Sequence, residues 1–238
     1  LFFLLGVFFP LSAQESEVLI STSHTSLLLS TSQGGELKFL YYGRKLTDAD
    51  VHAVVSTESG SFSAYPVYGL NCPSESALSV QHEDGNMTLQ MEVIGVETIH
   101  QEKADLTVIS LKDKVYPFYV KLCYKAYQDV DVIEAWTEIS HKEKKNVKLN
   151  QFASAYLPVR KGNVWLSSLY GAWANEARLV QEPLEPGMKV IKNKDGVRNS
   201  HTAHAEVMFS LDGQPRENSG RVIGAALCYG GNYKLRID

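Results

Sequence analysis

The feature that most limits what this chain can become is a two-residue apolar period set around turn residues. Leu78 and Val80 precede Asp84-Gly85, and Met87, Leu89, Met91 and Val93 follow it. Apolar side chains at every second position beside a dipeptide that favours tight turns predict a hairpin of two half-buried strands. The same alternation runs through Phe118, Val120, Leu122 and Tyr124 against Tyr119, Lys121, Cys123 and Lys125. It recurs in Ile133, Ala135, Thr137 and Ile139 against Glu134, Trp136 and Glu138. Each of these stretches predicts a strand with one buried and one wetter face. Shorter strands are expected over 17–20, 26–29, 36–42, 78–82, 87–93 and 106–111. Gly34-Gly35, Gly43-Arg44-Lys45, residues 158–163 and Asp212-Gly213 punctuate them. The one helix-compatible window, 172–180, is short and is followed by Pro183 and Pro186. The expected fold class is therefore all-β, a large antiparallel β-sandwich.

Length and composition agree. With 238 residues, 44% of them hydrophobic, the chain can build a substantial core. A formal net charge of −4 with acids and bases interspersed leaves no basic field for a phosphate backbone, and even Lys142-Glu143-Lys144-Lys145 contains an acid, so no nucleic-acid partner is expected. The opening run 1–11, LFFLLGVFFPL, is too short to span a bilayer and ends at Ser12-Ala13-Gln14. Residues 1–13 read as a truncated secretory signal peptide, with a buried first strand as the other reading. A periplasmic or extracellular location follows from that reading, with no membrane span.

Cys72, Cys123 and Cys228 are odd in number and far apart, so they do not form a disulfide framework. Cys123 and Cys228 lie in strand-like runs and are expected as small buried hydrophobes, whereas Cys72 falls in a loop. The acids sit in turns or alternate with apolar residues, where a solvated face or a side chain closing a turn explains them, so none is taken as catalytic. His201-Thr202-Ala203-His204 has metal-like spacing but lacks a helical context and a third ligand, so no metal is assigned, and no cofactor is expected. No G-x-S-x-G elbow is present. Asn86-Met87-Thr88 matches a glycosylation acceptor, which matters only in a eukaryotic secretory pathway, and the start of a hairpin is the simpler reading. Tyr65, Tyr68, Tyr170 and Trp173 lie in Gly- or Pro-containing, loop-like stretches. Burial is the usual fate of such rings, and the alternative is stacking against the apolar C–H face of a sugar.

A set of ordered words gives these residues a family. They are Tyr65-Pro66 with Tyr68-Gly69, Ala77-Leu78, Asp84-Gly85, Glu134 with Trp136, and Asn150 with Phe152-Ala153-Ser154. Leu169-Tyr170-Gly171-Ala172-Trp173-Ala174-Asn175-Glu176, Gly187, Arg198 with Ser200-His201, and Gly231-Asn232-Tyr233 follow. From about Leu37 to Asp238 the chain resembles the N-terminal domain of family 36 glycoside hydrolases, the bacterial α-galactosidases.

The resemblance implies a β-supersandwich over 14–238, cut before a (β/α)8 barrel. That barrel would remove terminal α-linked galactose from oligosaccharides with retention, using two aspartates. Its K-W-D-x-N and R-x-D motifs are absent here, so the catalytic residues are expected beyond Asp238 and this segment is expected to be non-catalytic. In some oligomeric members a loop after the Tyr-Gly word reaches a neighbouring active site through an Asp-aromatic-Arg triplet. Here that stretch reads Leu70-Asn71-Cys72-Pro73-Ser74-Glu75. The departure argues against both the pocket shared between subunits and the family's usual aglycone preference, and a homo-oligomer stays an open reading. Asn71, Cys72 and Trp173 are the candidates for touching an α-galactosyl oligosaccharide or a partner subunit. The competing readings are a free-standing carbohydrate-binding sandwich and a purely structural module.

Overall fold

The computed structural model describes residues 16–57, 62–69, 75–159, 162–198 and 201–238. Asn71, Cys72 and the expected signal segment 1–13 lie outside the described residues. The elements in chain order are β1 (Ser16–Ser21), β2 (Thr25–Thr31), β3 (Leu37–Arg44), α1 (Asp48–Thr57), β4 (Phe62–Ser63), β5 (Leu78–Gln81), β6 (Met91–His100), β7 (Ala104–Asp113), β8 (Phe118–Tyr127) and β9 (Val132–His141). They continue as β10 (Lys148–Phe152), β11 (Trp165–Tyr170), β12 (Arg178–Pro183), β13 (Lys189–Asn193), β14 (Ala203–Ser210), β15 (Val222–Ala226) and β16 (Tyr233–Ile237). The chain divides into two compact units, one up to Pro158 and one from Val159. The sequence reading treated 14–238 as one domain.

The first unit holds sheets ordered β1-β2-β3-β4 and β6-β7-β8-β9 and a two-stranded β10-β5 ribbon, with antiparallel pairing between neighbours. Alternate residues of these strands point inward, as the period predicts. Val18, Ile20, Leu27, Leu29, Phe39, Leu78, Val80, Ile109, Leu111, Phe118, Val120 and Leu122 meet in one buried cluster. Turns lace the unit together as well: the Thr22 hydroxyl donates to Asp131 Oδ1 at 2.9 Å, and the backbone N–H of Val93 donates to the Gly35 carbonyl at 2.8 Å.

The hairpin expected around Asp84-Gly85 forms only as a turn. Gly85 takes a φ of 91°, and the His82 N–H donates to the Asn86 carbonyl at 2.8 Å. The flanking strands separate, β5 pairing with β10 and β6 with β7. The reason is a wedge, because the Pro66 carbonyl accepts from Ala77 N–H at 2.7 Å. Tyr68 N–H donates to the Leu78 carbonyl at 2.9 Å, and the Tyr68 carbonyl accepts from Leu89 N–H at 3.0 Å. Residues 66–68 thus bond to residues 77, 78 and 89 and come between the two flanking segments.

Three further expectations are corrected. The helix lies at Asp48–Thr57 instead of 172–180, where the chain makes a turn and enters β12. Its start carries a reciprocal cap: Asp50 N–H donates to Thr47 Oγ1 at 3.3 Å, and Thr47 N–H to Asp50 Oδ2 at 2.9 Å. Val51 anchors it on Leu28 and Leu40 of the sheet's second face. Cys123 is buried in β8 as expected, but Cys228 is exposed because β15 ends at Ala226. Tyr65 lies in the connection after β4, as expected, with its ring buried in the core, whereas Tyr170 closes β11 instead of lying in a loop.

The second unit pairs a sheet ordered β12-β11-β14-β15 with a β13-β16 ribbon. Leu166, Ile191, Ala203, Ala205, Val207 and Tyr233 form its buried cluster. Its connections carry the candidate site.

Candidate functional site

Three connections meet at one end of the second unit: residues 171–177 between β11 and β12, the described residues 194–198 and 201–202 between β13 and β14, and 227–232 between β15 and β16. Asn193, buried at the end of β13, ties the last two. Its Nδ2 donates to the Gly196 carbonyl at 2.7 Å and to the Gly231 carbonyl at 3.4 Å, while its Oδ1 accepts from Asp195 N–H at 3.1 Å. Gly196 N–H donates to Asn232 Oδ1 at 2.9 Å, and the Thr202 hydroxyl donates to Asp195 Oδ2. Gly171 N–H donates to the Thr202 carbonyl at 3.2 Å, which brings in the first connection. Beneath them the Tyr233 hydroxyl donates to the Ala203 carbonyl at 2.6 Å. Burial, with Glu206 and Tyr170 nearby, pushes that phenol up to about 12.

The β11–β12 tip is a tight turn. Ala172 and Asn175 exchange both backbone hydrogen bonds, at 3.2 and 3.0 Å, around Trp173 and Ala174. Ala174 and Ala177 adopt φ of 59° and 56°, left-handed values that a side chain other than glycine's holds only under constraint. Glu176 supplies the constraint: its Oε1 accepts from Ala174 N–H at 3.3 Å and lies 3.5 Å from His201 Nε2. The Trp173 side chain is left 83% exposed. His204, the other member of the close histidine pair, stands on β14 with Nδ1 3.5 Å from Glu206 Oε2. The metal-like spacing therefore resolves into two separate contacts with carboxylates.

Of the sequence candidates, only Trp173 falls among the described residues, and it sits at this tip. Glu176, Asn193, Asp195 and Asn232 were not singled out, although the Leu169–Glu176, Arg198–His201 and Gly231–Tyr233 words supply most of the three connections. Their spacing gave no chemical signal; only the fold brings them together. In the first unit the counterpart polar knot joins His82, Glu143 and Tyr116. His82 Nδ1 lies 2.8 Å from Glu143 Oε1, and its ring stacks on Tyr116 at 3.7 Å between centroids. Glu143 Oε2 accepts from Glu83 N–H at 3.1 Å, and the Tyr116 hydroxyl donates to Asp84 Oδ2 at 2.7 Å. Asp84 is held below its usual range by the Asn86 N–H and the Tyr116 hydroxyl that it accepts. These acids are committed to turns, as are Asp113, Asp131 and Asp212.

Residues 35–238 match the model of the glycosyl hydrolase family 36 N-terminal domain. The chain belongs to this family. Among curated relatives, the family 36 domain is 29% identical over 141 residues to alpha-galactosidase Mel36A of Lactobacillus acidophilus, an alignment that covers 59% of this chain and 19% of that protein. It is 23% identical over 189 residues to alpha-galactosidase AgaA of Geobacillus stearothermophilus, covering 73% of this chain and 26% of the relative. The crystal structure of a doubly substituted AgaA in complex with raffinose superposes with a TM-score of 0.81 at 20% identity, covering 94% of this chain and 35% of that one. The α-galactosidase structure from Lactobacillus brevis gives 0.79 at 21% identity, covering 93% and 34%. The family 36 domain thus spans well under half the length of these relatives, and the expected sandwich fold is the one they share. Among the described residues no helix is long and apolar enough to cross a membrane.

Proposed function

We propose that this chain is the non-catalytic N-terminal domain of an exported α-galactosidase that releases terminal α-linked galactose from oligosaccharides with retention of configuration. The observation that carries the reading is the family match over residues 35–238, joined to relatives named as α-galactosidases. Retention needs two carboxyls about 5–5.5 Å apart across the scissile bond, one as nucleophile and one as acid/base. The resemblance to family 36 implies that this pair stands on a barrel encoded beyond Asp238. The apolar run 1–11 supports export to the periplasm or the outside. The domain's part is to support the catalytic portion and a homo-oligomer, and raffinose and stachyose, bound by related AgaA structures, indicate the substrate class.

The test is to express the complete protein beside the chain ending at Asp238 and to assay galactose release from raffinose. The complete protein should be active and the shorter chain inactive. Activity in the shorter chain, or none in the complete protein, would reject the reading. Proton NMR of the first-formed product distinguishes retention from inversion.

A further inference from the structure

Trp173 is more exposed than any other large apolar side chain among the described residues, and the chain holds it there at the cost of local strain. A hairpin tip relieves that strain most simply with glycine at the left-handed position, yet alanine occupies both 174 and 177. Glu176, fixed between Ala174 N–H and His201, over-determines the conformation. His201 N–H donates to the Arg198 carbonyl at 3.4 Å, and the adjoining Thr202 is tied to Asp195 and to Gly171. This is an indole on a preset platform with a carboxylate, an imidazole and the Asn175 amide on the same loops.

We propose that this tip is a saccharide-binding site, in which Trp173 stacks on the C–H face of a sugar unit other than the galactose being cleaved and Glu176 and His201 take its hydroxyls. The inference rests on the α-galactosidase reading and adds a recognition element to it. A neutral polyhydroxylated ring has what the site offers, since one face is apolar and its rim both donates and accepts hydrogen bonds. An anionic ligand would meet Glu176. Val197 and Tyr229 on the neighbouring connections are exposed as well, so a protein contact is the outcome that the experiment has to separate from sugar binding.

The experiment uses the complete protein with Trp173→Ala and Trp173→Phe, assayed on stachyose and on 4-nitrophenyl α-galactoside, which has no sugar beyond the galactose. Loss of one stacked ring should raise KM for stachyose about three- to tenfold in Trp173→Ala. Trp173→Phe should stay near wild type, and kcat on both substrates and KM for the aryl galactoside should be unchanged. An equal loss on both substrates would overturn the proposal. So would unchanged kinetics with altered subunit assembly, which would make the tip a protein contact. If the complete protein releases no galactose, the α-galactosidase reading fails on its own. Quenching of indole fluorescence by raffinose, compared between wild type and Trp173→Ala, then judges this site separately, and absence of a Trp173-dependent signal rejects it.

Discussion

The unit ending at Pro158 and the unit beginning at Val159 are built from the same kind of strand but distribute their side chains differently. In the first, seven strands feed one buried cluster, and its polar groups point back into the fold, as with His82 on Glu143 and Tyr116 on Asp84. In the second, a smaller cluster supports loops whose polar bonds run between loops and leave Trp173 outside. Burial scales stability, while a fixed but exposed loop end can meet a ligand. On the proposal made for Trp173, the first unit carries stability and the second carries recognition.

Core truncation should show the largest effect. Phe118 is 1% exposed and meets the His82 ring edge-on at 5.8 Å between centroids. Phe118→Ala should cost about 3–5 kcal/mol by denaturant unfolding, and Leu166→Ala in the second unit about 2–5 kcal/mol. Hydrogen exchange followed by mass spectrometry should place each loss of protection in the unit that carries the substitution. Protection lost equally in both units after either change would break the comparison.

Next come two glycines that differ only in surroundings. Gly69 and Gly187 both take left-handed φ, 102° and 121°. A Cβ on Gly69 would stand 2.6 Å from Thr88 Cα, whereas at Gly187 it would meet nothing within 4 Å. Gly187→Ala carries conformational strain alone, more than about 1 kcal/mol. Gly69→Ala adds overpacking of about 1–3 kcal/mol. Equal melting temperatures for the two variants would contradict the close approach of Gly69 to Thr88. A smaller effect is expected at Glu143, whose side chain is 2% exposed against 0% for His82. Glu143→Ala leaves His82 Nδ1 without its acceptor, while Nε2 has no hydrogen-bond partner among the described residues, and should cost about 1–3 kcal/mol.

Fold class was legible because burial of one strand face imposes a period of two whatever the topology. Strand partners were not, since alternation at 78–80 and 87–93 says which face is buried but not what pairs with it. The intervening wedge of 66–68 is a long-range event. α1 was readable in principle from Thr47 and Asp50, a capping pair masked by a run of valines that suits strands equally well. At the site, Trp173 could be singled out because a large ring in a loop is unusual on its own. Glu176, Asn193 and Asn232 are ordinary polar residues until the second unit folds.

The finest comparison uses two tyrosines in matching roles. Tyr65 donates to the Ala153 carbonyl at 2.8 Å within the first unit, and Tyr233 to the Ala203 carbonyl within the second. Burial pushes the Tyr65 phenol up to about 12, against the opposing pull of its bonds to Thr137 and Ala153. Tyr233 likewise rises to about 12. An unfolded phenol ionises near 10. Between those values the unfolded chain has released a proton that the native state still holds, so stability falls as pH rises. The contribution is whole below about pH 10 and is lost toward pH 12. At neutral pH, Tyr65→Phe and Tyr233→Phe should each cost about 0.5–1.5 kcal/mol, the worth of one hydrogen bond. Denaturant unfolding at steps from pH 9 to 12 should show a steeper decline in wild type than in either variant. The flattening is expected to be similar for Tyr65→Phe and Tyr233→Phe, because both phenols rise to about 12. A larger flattening for Tyr233→Phe would mean that the second unit shelters its tyrosine better, and that the contrast between a stability unit and a recognition unit is drawn too sharply.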